Sequence, residues 1–172
     1  MAPTRPLSLL PTLHPFALVL LSLLLLLPGP ASAKICESAR DIRRSTPDAP
    51  CTKVHVGGDT NLSPEDLAVV ADEVARDHVE SLSLGGDALG DARAAAVIQR
   101  FARRGGMRQV DLYGNRLGAA SGDALRVALV NNARLDSLWL QSNDLGDAGA
   151  AAVAAGMARS RGLGKLYMHN NR

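Results

Sequence analysis

Apolar residues return along this chain at fixed intervals. The segments Cys51–Val56, Val79–Leu84, Met107–Leu112, Leu135–Leu140 and Leu163–Met168 each carry an apolar residue, or Cys51, at their first, fourth and sixth positions. The sixth-position residues Val56, Leu84, Leu112, Leu140 and Met168 stand 28 apart throughout. Alternation of the fourth and sixth positions predicts a short strand with both side chains on one side. Three residues further on, Asp59, Asp87, Asn115, Asn143 and Asn171 form a polar column where the chain turns away. An Asn side chain there both donates to and accepts from backbone groups that no ladder satisfies, whereas Asp only accepts. The first two units are therefore predicted to be less well tied than the rest.

The remainder of each unit reads as a turn and a helix. Leu89-Gly90, Leu117-Gly118 and Leu145-Gly146 give the turn, and Ser63-Pro64 reads as an N-cap followed by proline at the first helical position. One apolar helix column runs Leu67, Ala94, Gly122, Ala150, a second Val70, Val97, Leu125, Val153, and a third Val74, Phe101, Leu129, Met157. Within each helix these positions are three and then four apart, which is one face. The first unit is one residue shorter between its helix and the next strand. Carried one period back, the columns reach Ala39 and Ile42, so residues 34–50 are expected to form a capping segment that covers the first core face.

With its 28-residue period, the pattern L-x-x-L-x-L-x-x-N-x-L-G resembles the ribonuclease-inhibitor class of leucine-rich repeats, to which NOD-like-receptor repeat regions belong. The resemblance covers residues 51–172, about four repeats with the last one truncated. It implies an α/β solenoid, a horseshoe segment with a parallel sheet on its concave side and helices on its convex side. Members of that class are mostly intracellular, whereas this chain is expected to carry an export signal. The pattern is also expected to stop in mid-repeat at Asn171-Arg172 without a C-terminal cap.

The first 33 residues read as an export signal. Arg5 precedes an apolar run from Phe16 to Leu27, Pro28-Gly29-Pro30 stops it, and Ala31-Ser32-Ala33 is a small-residue cleavage signature. The rival reading, a transmembrane anchor, needs about 20 apolar residues, and Pro15, His14 and Pro11 interrupt the stretch upstream. Cleavage after Ala33 leaves a secreted, extracellular chain with no membrane contact. All 17 acidic residues lie beyond that point and only Arg5 of the 19 basic ones before it, so the net charge falls from +2 to +1. That charge, with both signs interspersed, argues against nucleic acid as a partner. Cys36 and Cys51 are an isolated pair, read as a disulfide in an oxidising compartment, with free thiols or half of a metal site as alternatives. Asn61-Leu62-Ser63 is a glycosylation sequon, weakened by Pro64.

Between the core residues of each strand, alternate side chains point to the open face. The columns there are Lys53/Ser81/Gln109/Ser137/Lys165, His55/Ser83/Asp111/Trp139/Tyr167 and Gly57/Gly85/Tyr113/Gln141/His169. They hold the single Trp and both Tyr of the chain. Asp111, Tyr113, Trp139, Gln141, Tyr167 and His169 are thus a candidate partner-binding patch, since amphipathic aromatics favour interfaces. Set against this, an aromatic between strand leucines also serves plain packing across strands. Catalysis finds little support. His55 and His169 lie four strands apart, Asp111 and His169 two, and no serine is expected beside a base. No cofactor or metal site is expected either. Arg40, Arg43 and Arg44, like Arg100, Arg103 and Arg104, read as solvated helix faces, with an anionic partner as the alternative. The sequence therefore points to a non-catalytic protein-binding module. Its alternatives are a glycan reader or a fragment of a larger receptor-like array, with self-association favoured at the uncapped C-terminal edge.

If the signal is removed as expected, N-terminal sequencing of the exported protein starts at Lys34. A membrane-bound product that still begins at Met1 would reverse the assignment.

Overall fold

A computed structural model describes residues 34–58 and 62–172. The export-signal reading of residues 1–33, Asp59 and the sequon at Asn61 fall outside them. Strands and helices alternate in order: β1 (Lys34–Cys36), α1 (Ala39–Arg43), β2 (Cys51–His55), α2 (Pro64–Val74), β3 (Ser81–Ser83), α3 (Asp91–Ala102), β4 (Gln109–Asp111), α4 (Ala119–Asn131), β5 (Ser137–Trp139), α5 (Gly146–Met157) and β6 (Lys165–Tyr167). The six strands pair in chain order into one all-parallel sheet, a solenoid-like α/β arrangement. From β2 onward the register is unbroken, running Lys53, Ser81, Gln109, Ser137, Lys165 across the sheet.

The alternating pattern does what it predicts. Val54, Leu82, Val110 and Leu138 are sealed from solvent together with Val56, Leu84, Leu112 and Leu140, in one cluster with helix residues Val70, Val97, Leu125 and Val153. Each such side chain contributes about 1.5–3 kcal/mol by leaving water. Ser63 caps α2, accepting the Asp66 N–H at 3.1 Å, with Pro64 at the first helical position. Helix α4 has no side-chain cap of its own, because Gly118 stands at that place. The carboxylate of Asp91, the first residue of α3, takes over by accepting the N–H groups of Gly118 (2.9 Å), Ala120 (3.1 Å) and Ser121 (2.7 Å).

The asparagine column ties successive units together. Asn143 donates to the carbonyls of Leu112 (3.0 Å), Leu140 (2.9 Å) and Gln141 (3.4 Å), and accepts the N–H groups of Asn115 (2.8 Å) and Leu117 (3.1 Å). Asn115 repeats the arrangement with Leu84, Tyr113 and Leu89, and Asn171 with Leu140, Met168 and Leu145. Asp87 occupies the same column, buried, but has no amide hydrogen to donate. Just before the column the backbone turns left-handed at Gly58, Gly86, Gly114, Ser142 and Asn170.

Residues 34–50 carry more structure than expected of them. Besides α1, whose Ala39 and Ile42 are buried, they contribute β1, paired to β2. The disulfide reading holds. Cys36 and Cys51 are bonded, both fully buried, with Cα atoms 5.7 Å apart. The loop they close spans 15 positions, worth about 3 kcal/mol through chain entropy. Arg43 adds an ion pair to Asp66 at 2.8 Å, linking α1 to α2. Two expectations fail at the other end. Gly149, not Ala150, meets Gly122, because the helices approach so closely that a Cβ on Gly122 would lie 2.6 Å from the Gly149 Cα. Met157, assigned to a core column, is 46% exposed on α5, the last helix of the stack.

Two outcomes follow from this bonding. Asn143→Asp should lower the unfolding free energy in urea by roughly 2–4 kcal/mol, since carboxylate oxygens would face the Leu112, Leu140 and Gln141 carbonyls. Asn171→Asp, at a half-buried position, should cost less. For Asp91, burial raises the carboxyl pKa, but the hydrogen bonds from Ser121, Gly118 and Ala120 outweigh it and hold the value below the ordinary 3.8. A lowered folded-state pKa means stability that is complete above 3.8 and lost as pH falls through the folded value. Asp91→Ala should therefore be less stable than wild type by about 1 kcal/mol near neutrality, and the gap should close in acid.

Candidate functional site

The open face of the sheet is built from the side chains that the core does not take. In the middle outward row, Ser83 on β3, Asp111 on β4, Trp139 on β5 and Tyr167 on β6 are in register. Neighbouring parallel strands lie about 4.8 Å apart, close to the separation at which aromatic rings stack. Trp139 and Tyr167 accordingly stack with centroids 5.8 Å apart and planes within 6°. Tyr167 remains 41% exposed.

The rest of the predicted patch divides. Tyr113 is exposed, yet its ring lies over Gly85 and Gly86, so that a Cβ on Gly85 would collide with it. Its backbone N–H donates to Asp111 Oδ1 at 3.1 Å. Gln141 and His169 continue the row that Tyr113 begins, joined by the backbone bonds Gly114 N–H to Gln141 carbonyl and Ser142 N–H to His169 carbonyl. The side-chain carbonyl of Gln141 is buried without a hydrogen-bond partner among the described residues. Thus Asp111, Trp139 and Tyr167 share one row, and Tyr113, Gln141 and His169 the next.

A hollow of about 190 Å³ opens beside Trp139, lined by His55, Ser81, Ser83, Gln109 and Asp111. The N-terminal half of the face, outside the predicted patch, supplies three of these side chains, His55, Ser81 and Ser83. His55 Nε2 is 3.1 Å from Ser81 Oγ, so a serine does stand beside a base, contrary to the sequence reading. The reason is diagonal. His55 belongs to the middle outward row and Ser81 to the neighbouring one, on adjacent strands. Ser81 is 6% exposed, and no described carboxylate bonds the other ring nitrogen of His55. Ser83 Oγ reaches Asp111 Oδ2 at a long 3.5 Å.

On the helix side, Arg100, Arg103 and Arg104 line a groove of about 550 Å³. Arg100 faces Asp72 at 3.5 Å and Arg104 faces Asp77 at 3.8 Å, which offsets much of that charge. Among the described residues no cluster of three or more His, Cys, Asp or Glu could hold a metal ion. Among them, too, no helix is long and apolar enough to cross a membrane. No protein family and no curated protein matches the chain.

Proposed function

We propose that this chain is a leucine-rich-repeat segment of the ribonuclease-inhibitor class, built on a 28-residue repeat, that is exported and binds another protein through the concave face of its sheet. The repeat assignment is supported by the in-register pairing of Lys53, Ser81, Gln109, Ser137 and Lys165, together with the Asn115–Asn143–Asn171 column. The buried Cys36–Cys51 bridge fits an oxidising compartment.

One observation carries the binding reading, the Trp139–Tyr167 stack on the outward row. Large aromatic side chains held rigid at a surface lose little further freedom on association and contribute heavily to interfaces. The reading is non-catalytic because Ser81, beside His55, is 6% exposed and no described carboxylate orients the imidazole. A glycan could use the same Trp139 face, with Gln109 and Asp111 beside it to bond hydroxyls.

Affinity capture from extracellular medium tests the proposal with wild-type chain, Trp139→Ala and the helix-side control Arg100→Ala. Trp139→Ala should weaken the captured partner by about 2 kcal/mol or more, as anchor truncations do, with the unfolding midpoint unchanged and the control retaining affinity. Capture that ignores Trp139→Ala but is lost in Arg100→Ala would move the binding surface to the helices.

A further inference from the structure

Trp139 stands between Tyr167 and a hollow in the sheet face. One ring face packs on Tyr167, and the ring also borders the hollow shared with Asp111, Gln109, Ser83, Ser81 and His55. We infer that this hollow receives an arginine side chain of the partner protein, its guanidinium flat on Trp139 and hydrogen-bonded to Asp111. The inference rests on the reading of this face as a protein-binding surface and adds the chemistry of what enters it.

Charge selects the occupant. The hollow of about 190 Å³ has room for a guanidinium group. Among the described residues Asp111 is the one carboxylate in its lining. Its Oδ1 is fixed by the Tyr113 N–H at 3.1 Å, while among the described residues Oδ2 has the long 3.5 Å contact from Ser83. That oxygen keeps strong acceptor capacity in a defined position. The exposed amide of Gln109, on the same strand, adds an acceptor. A cation set over an indole is attracted by the negative ring face, and Trp is the best such platform. Guanidinium is planar and weakly hydrated, so it can stack and bond a carboxylate at once, which an ammonium does less well. Lys53 on β2 and Lys165 on β6 lie in the adjacent outward row, each two strands from Asp111. At about 10 Å across the sheet they leave Asp111 unpaired and discourage a second cation on either side. The face thus selects one cation at its centre.

Trp139 is the only tryptophan of the chain, so its fluorescence reports on this site alone. The exported chain would be titrated with acetyl-Gly-Arg-Gly-amide, its citrulline counterpart, which keeps the shape and removes the charge, and its lysine counterpart. The arginine peptide should change the emission saturably, and the citrulline peptide should bind about tenfold more weakly, with lysine between them. Asp111→Asn keeps an oxygen for the Tyr113 N–H and should weaken the arginine peptide by a similar factor. Asp123→Asn, on the exposed face of α4, should leave it unchanged. Added salt should weaken the arginine peptide and spare citrulline.

Equal binding of arginine and citrulline, indifference to Asp111→Asn, or no saturable response overturns the inference. A saturable response to methyl glucoside in place of the arginine peptide overturns it in favour of a glycan. If the arginine preference fails while Trp139→Ala still abolishes partner capture, the binding face stands and only its charge selectivity falls. If neither holds, both readings fall together.

Discussion

A parallel strand of three residues satisfies few of its own backbone groups, and the chain leaving it must cross the end of a buried leucine layer to reach the helix. Any N–H or C=O that enters this layer unpaired costs about 1–3 kcal/mol. The asparagine amide that spans two units removes that penalty. Asn143 bonds carbonyls in its own strand turn and in the one before, and it accepts N–H groups from the preceding turn. No unit is complete without its neighbour. Stability in such a stack is close to a sum over units and the interfaces between them, and here the interface is largely this column with the leucines beneath it.

The devices at the N-terminal end follow from the same constraint. In the unit of β3 the column holds Asp87, whose carboxylate has no side-chain N–H to offer the turn carbonyls. Other links hold that end of the molecule. The Cys36–Cys51 bridge clamps β1 to β2, Arg43 reaches Asp66, and Ser63 caps α2. Further along, Asp91 spans α3 and α4 as Asn143 spans two turns, with a side chain of one unit satisfying the backbone of the next.

Period and alternation made the sheet, the helix columns through Val70, Val97, Leu125 and Val153, the Ser63 cap and the cysteine pair legible in the sequence. Strand β1 was not, because Lys34–Cys36 shows no alternation and stands off the period. The shift from Ala150 to Gly149 was hidden for another reason. A column of small residues fixes how closely two helices can approach, but not which of two adjacent residues makes the contact. The sequence holds a further signal. Gly58, Gly86 and Gly114 share a column, and left-handed backbone at that place explains them. The His55–Ser81 contact could also have been anticipated, since parallel register makes diagonal neighbours of adjacent rows. Of the six-residue patch, the row Asp111–Trp139–Tyr167 was readable from position alone. The turn of the Tyr113 ring towards Gly85 depends on side-chain packing that no spacing encodes.

The same geometry divides stability from recognition. Inward positions are held to leucine-like and asparagine side chains, whereas outward positions carry Lys, Ser, Gln, His, Asp, Trp and Tyr in no fixed pattern. Strand spacing of about 4.8 Å makes in-register aromatics on adjacent strands stack without further design. The stack with Tyr167 restricts the Trp139 rotamer in the folded chain, which would favour the proposed binding through preorganisation. Stacking consumes one ring face, and the neighbour in register on the opposite side is Asp111. A carboxylate next to an indole follows from placing Asp, Trp and Tyr in one row of a parallel sheet. The chemistry of the hollow is set by the order of those three residues across β4, β5 and β6.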